Sequence, residues 1–74
     1  LARDEMAIKA YTKAIAINPK YDDPYYGLGN ALHSLGRDEE AIEMYKKFID
    51  LADKQRVDPW IKKAEQMIAK IKNK

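Results

Sequence analysis

Apolar residues recur along the chain at helical spacing in four blocks, separated by short polar or proline-marked breaks. In the first block Met6, Ala7, Ala10, Tyr11, Ala14, Ile15 and Ile17 follow the i, i+3, i+4, i+7 pattern of an amphipathic helix. Asp4 and Glu5 fall in its first turn, where the helix dipole favours negative charge. Asn18-Pro19 ends it, because the residue before proline is pushed out of the α region. Asp23-Pro24 opens a second block with an expected Asp cap and a proline preorganised for the first turn. That block places Tyr25, Leu28, Gly29, Leu32 and Leu35 on one face, and Gly36 is the expected left-handed stop. A third block starts near Arg37-Asp38 and buries Ala41, Tyr45, Phe48, Ile49 and Ala52. Asp58-Pro59 repeats the start signal. Trp60, Ile61, Ala64, Met67, Ile68 and Ile71 then form a last stripe, with Trp60 expected as its core anchor. The pattern predicts four helices and no strand.

The blocks are related to one another. Shifting the chain by 34 residues aligns Leu1–Ala14 with Leu35–Phe48, and eight of the 14 pairs are identical: Leu1/Leu35, Arg3/Arg37, Asp4/Asp38, Glu5/Glu39, Ala7/Ala41, Ile8/Ile42, Tyr11/Tyr45 and Lys13/Lys47. A shift of 35 pairs Asp23-Pro24-Tyr25 with Asp58-Pro59-Trp60. Such a period in a helical chain signals stacked helical hairpins.

These residues resemble the tetratricopeptide repeat, whose pattern is W-x2-L-G-x2-Y, then A-x3-F, then P. Tyr25-x2-Leu28-Gly29-x2-Leu32 stands for the first helix and Ala41-x3-Tyr45 for the second. Ala7-x3-Tyr11-x2-Ala14 with Pro19 resembles the second helix of a preceding repeat. The resemblance implies an all-α fold of antiparallel hairpins, as in an α-solenoid. Residues 1–21 would be half a repeat, 22–55 a complete repeat and 56–74 a capping helix, together one domain. Asp53 replaces the closing proline, so the third helix is expected to run about a turn further.

The family resemblance also implies a function. First helices of successive repeats line a concave groove for peptides or partner subunits. By register the groove-facing residues would be Asp23, Tyr26, Asn30, His33 and Ser34, joined by Ile61, Lys62 and Glu65 of the last helix. A carboxylate clamp of the kind some members use is not expected: Asn30 fits one of its positions, but Tyr26 stands where a Lys is wanted. The half repeat lacks its own first helix. Ala7, Tyr11, Ala14 and Ile15 are therefore expected to self-associate, making a homo-oligomer, or to pack within a longer array.

Composition narrows the alternatives. A chain of 74 residues with 46% apolar and 35% charged side chains is one small globular domain. Without cysteine it has no disulfides or thiolate metal sites. No apolar run approaches a membrane span. Residues 1–53 carry 7 basic and 10 acidic side chains and residues 54–74 carry 7 and 2, so a basic last helix sits on a mildly acidic body. That helix reads as a solvated capping face first, then as a contact for an acidic partner, and last as a nucleic-acid or membrane surface. The net charge of +2 gives no case for nucleic acid. His33, the sole histidine, has no nucleophile or ligand set around it, and Gly27-Leu28-Gly29 follows no strand. The expectation is a non-enzymatic, cytoplasmic protein-binding module without a cofactor, metal or nucleic-acid partner, and membrane contact is not expected on this pattern.

Overall fold

The computed structural model describes residues 2–55 and 59–73, and within α1 and α3 it leaves the side chains of residues 2 and 53–55 undescribed. Four helices follow one another: α1 (Ala2–Ile17), α2 (Asp23–Ser34), α3 (Asp38–Gln55) and α4 (Pro59–Lys72). No strand occurs among the described residues. Each helix packs chiefly on its neighbour in the chain, α1 on α2, α2 on α3 and α3 on α4.

The helix ends follow from local chemistry. At the start of α2, Asp22 occupies the cap position with helical dihedrals and makes no side-chain cap bond. Asp23 is thus the first helical residue and Pro24 the second, so α2 begins one residue earlier than the sequence pattern suggests. The Tyr25 amide donates to the Asp22 carbonyl at 3.0 Å, so a backbone bond holds the first turn. The Tyr25 hydroxyl reaches back to the Pro19 carbonyl at 2.9 Å and ties the connection to the helix it feeds. The expected cap at Asp58 lies outside the described residues.

At the other end of α2 the chain reverses on Gly36, whose φ of 79° is left-handed. The Gly36 amide donates to the His33 carbonyl at 3.0 Å and the Arg37 amide to the Leu32 carbonyl at 2.9 Å, the paired bonds of a Schellman stop. A Cβ on Gly36 would meet nothing within 4 Å. Gly36→Ala should therefore cost only the backbone strain, about 1–2 kcal/mol, measured as a lower urea midpoint with unchanged slope.

α1 and α3 are the related helices, yet they end differently. Ile17 aligns with Leu51 at the 34-residue shift, and α3 runs on to Gln55 where α1 stops before Pro19. The missing proline permits the extra turn.

The core lies between α2, α3 and α4. Tyr25, Leu28, Leu32, Ala41, Tyr45, Phe48, Ala52, Ala64 and Ile71 are buried there. Ala41 and Tyr45 are sealed between α2 and α3, whereas their counterparts Ala7 and Tyr11 are only half-buried. The difference is one of company: α3 has helices on two sides and α1 on one. Glycine makes the close approaches possible. A Cβ at Gly29 would come within 2.8 Å of the Tyr45 ring, and one at Gly27 would collide with the Tyr11 ring.

Candidate functional site

A groove of about 760 Å³ opens along the first two helices and closes on the start of the fourth. α1 supplies a floor of Ala10, Tyr11 and Ala14, small side chains flanking one ring. α2 and the turn before it supply Tyr21, Asp23, Pro24, Tyr26, Gly27 and Asn30. Phe48 of α3 and Trp60 of α4 complete it.

Tyr26 is the hub. Its ring meets Tyr45, Phe48 and Trp60 edge-to-face, with centroids 5.6, 5.1 and 5.6 Å away and interplanar angles of 72°, 69° and 75°. These are favoured aromatic geometries, because the positive edge of one ring meets the negative face of another. Lys63 places its ammonium 4.7 Å from the centre of the Trp60 indole. The expectation of a core anchor at Trp60 is corrected here: the side chain is 49% exposed. It opens α4 and reaches across to Tyr26, so it forms the groove wall.

Asn30 is held from behind. The Tyr45 hydroxyl donates to its Oδ1, which leaves the Nδ2 hydrogens as the donors that the side chain can offer a ligand. Burial raises the Tyr45 phenol to about 12, with the neighbouring Tyr26 adding to the rise, so the hydroxyl keeps its proton across the physiological range. Burial also raises the Tyr26 phenol. At the rim, the Tyr21 hydroxyl donates to the Asp23 carboxylate at 2.8 Å.

The residues assigned to the groove by register separate into two groups. Asp23, Tyr26 and Asn30 line it together. His33 sits at the far end of α2 with Nδ1 3.0 Å from Asp38, bridging the tight turn. Ser34 donates to Asp4 of α1 at 3.0 Å, and that bond is the leading cause of the lowered Asp4 carboxyl. Ile61 packs against the core, while Lys62 and Glu65 are exposed and outside the groove lining. Of the residues expected to self-associate, Tyr11 and Ile15 pack against the core, and Ala7 and Ala14 are half-buried. Among the described residues, the large apolar side chains that α1 leaves in solvent are Met6 and Ile17, 71% and 78% exposed.

Sequence reasoning missed the groove roles of Ala10, Tyr21, Pro24, Phe48 and Trp60, and read Tyr11 and Ala14 only as an association face. The pairing of Trp60 with Tyr25 at the 35-residue shift points to the core instead, since Tyr25 is buried, so the repeat carried no signal for the groove role of Trp60.

A second hollow of about 370 Å³ lies on the α4 side of Tyr26, lined by Tyr26, Lys63, Gln66, Met67 and Lys70. Among the described residues no group of three His, Asp or Glu side chains could hold a metal ion, and no helix is long and apolar enough to cross a membrane.

Comparison with known proteins agrees with this architecture. Residues 3–36 match a family model described as TPR repeat and residues 23–55 one described as Tetratricopeptide repeat. The small glutamine-rich tetratricopeptide repeat-containing protein 2 of Saccharomyces cerevisiae is 43% identical over 47 residues, 64% of this chain and 14% of that protein. The protein of the same name from Mycosarcoma maydis is 37% identical over 51 residues, 69% of this chain and 14% of its own length. The chain therefore spans about a seventh of the curated relatives it matches. No solved structure gives a significant match. Two overlapping repeat matches on a ladder of four antiparallel helices identify the chain as a member of the tetratricopeptide repeat family, a protein-interaction module.

Proposed function

We propose that the groove between α1, α2 and the start of α4 binds a peptide segment of a partner protein. One observation carries the reading: Tyr26, half-exposed Trp60 and the exposed Asn30 line a single concavity of about 760 Å³. Interface energy concentrates on a few aromatic anchors, and an oriented amide donor suits a peptide carbonyl. No step of bond making or breaking is part of the proposal. Peptides selected from a displayed library on the wild-type chain should bind about tenfold more weakly to Tyr26→Ala and Asn30→Ala. The same peptides should bind equally to Lys46→Ala, on an exposed position of α3. Equal retention by all three variants would remove the groove from consideration.

A second reading is self-association through α1. Met6 and Ile17 are eleven residues apart, three helical turns, and so share one exposed stripe. Light scattering at high concentration should then show a dimer that Ile17→Lys dissolves, and a monomer throughout would dismiss it.

A further inference from the structure

We infer that the peptide segment taken by the groove is proline-rich and lies there in the extended polyproline II conformation. The inference rests on the proposed peptide-binding role and names the class of segment that fills it.

The rings supply the first reason. Tyr11, Tyr21, Tyr26, Phe48 and Trp60 all line the larger groove, with the Pro24 ring among them. Tyr21 and Trp60 are each 49% exposed, and among the described residues they are the aromatic side chains left most open to water. One comes from the turn before α2 and the other from α4, yet both border the same concavity. Single apolar side chains in water are ordinary, whereas rings gathered in one hollow mark a binding surface.

Charge narrows the guest. The Lys63 ammonium lies 4.7 Å from the centre of the Trp60 indole, so that ring already holds a cation. A ligand lysine or arginine seeking the same ring would meet a like charge. The rings are left for a neutral guest that packs flat against them.

Hydrogen bonding then selects the backbone. The side-chain acceptors of the groove are engaged within the chain: Asp23 accepts from the Tyr21 hydroxyl and Asn30 Oδ1 from the Tyr45 hydroxyl. The donors are not. The Nδ2 hydrogens of Asn30 and the hydroxyls of Tyr11 and Tyr26 have no partner among the described residues. An ordinary extended segment brings one N–H for every C=O, and in this groove its N–H groups would go unmet. A helical segment turns its carbonyls inward on itself. A proline-rich segment has carbonyls without N–H groups, and its polyproline II helix makes no internal hydrogen bonds. Three residues per turn return a ring to the same side at every third position. Aromatic-lined grooves are a recurring seat for such segments, and the stiffness of the segment limits the entropy lost on binding.

The chain holds a single tryptophan, in the groove and half-exposed, and its fluorescence reports occupancy directly. Three tryptophan-free peptides would be titrated: an oligoproline of nine residues, an alanine–glutamine peptide of the same length, and a longer helical peptide of alanine, leucine, glutamate and lysine. Oligoproline should bind about tenfold tighter than either of the others, with little dependence on salt because no ion pair is involved. Asn30→Asp keeps the acceptor that Tyr45 uses and puts a second acceptor where the donor was. It should weaken oligoproline about fivefold and leave the alanine–glutamine peptide unchanged or tighter. Circular dichroism checks that the variant keeps its helices, and the ranking of the three peptides on the wild-type chain stands without it. Oligoproline binding no better than the alanine–glutamine peptide, or the helical peptide binding tightest, would overturn the proline-rich reading and leave the groove as a peptide site. So would an Asn30→Asp variant that holds oligoproline as tightly as wild type. Failure of every peptide, the library-selected ones included, would remove the groove reading and this one with it.

Discussion

Tyr45→Ala should unfold the chain or leave it only partly folded at room temperature. Tyr45 is fully buried, its ring lies against Gly29 and edge-on to Tyr26, and its hydroxyl orients Asn30. Removing a buried aromatic side chain costs about 3–5 kcal/mol. A chain of this length has roughly 4–11 kcal/mol in total. Urea denaturation followed by circular dichroism would read the loss, and a midpoint within the error of wild type would refute it. Tyr45→Phe separates packing from polarity. It keeps the ring, costs about 1–2 kcal/mol for the lost hydroxyl, and frees the Asn30 amide to turn. Groove affinity should then drop while the helices stay formed. The phenol adds a pH signature. Its folded value is raised to about 12 from an ordinary value of 10. Between those values the folded chain keeps a proton that the unfolded chain has released, so stability declines as pH rises through that window.

Gly29→Val should be nearly as damaging, for the opposite reason. The first added carbon already lies 2.8 Å from the Tyr45 ring, and that ring has no exposed side toward which to retreat. Overpacking of this kind costs about 1–3 kcal/mol, and a β-branched side chain places it at the upper end. Gly27 provides the contrast. Its obstacle is Tyr11, which borders the open groove and can swing into it. Gly27→Ala should therefore stay within about 1 kcal/mol of wild type, the helix-propensity gain offsetting the ring's displacement. What it should lose is groove volume, since the displaced ring moves where a ligand would lie. If thermal melts put the two glycine variants at equal stability, this account of the two interfaces fails.

The sequence made the helical ladder legible because each block states its own beginning, face and end. Gly36 was equally plain. The contact of Gly29 with the Tyr45 ring, by contrast, emerges only from the packing of α2 on α3. The groove was legible only in part. Register placed Asp23, Tyr26 and Asn30 on one face of α2, and they do share it. Continuing that register to His33 and Ser34 ignored what stands beside the last turn. There Asp38 and Asp4 take both side chains. Trp60 was misread because periodicity marks a stripe without saying how far the neighbouring helix extends beneath it. At the first turn of α4 the indole reaches Tyr26 across the opening, leaving half its surface in solvent. The α1 contribution could not be read from a one-helix pattern at all, because Ala10 and Ala14 matter only through the space they leave empty.

The ladder of neighbour-on-neighbour helix contacts also bears on time. Nearly every stabilising contact joins segments that are close along the chain, so little loop entropy must be lost before packing rewards it. Folding should be fast, with the central pair able to form before either end has docked. Fluctuations should follow the same order in reverse. Amide hydrogens of α1 and α4 should exchange through partial openings that detach one outer helix, while those of α2 and α3 wait for the whole structure to open. Each detachment would dismantle one wall of the groove, α1 taking its floor and α4 its tryptophan. A bound segment spanning both walls would slow both openings at once, and the ends of the molecule would register an occupant at its middle.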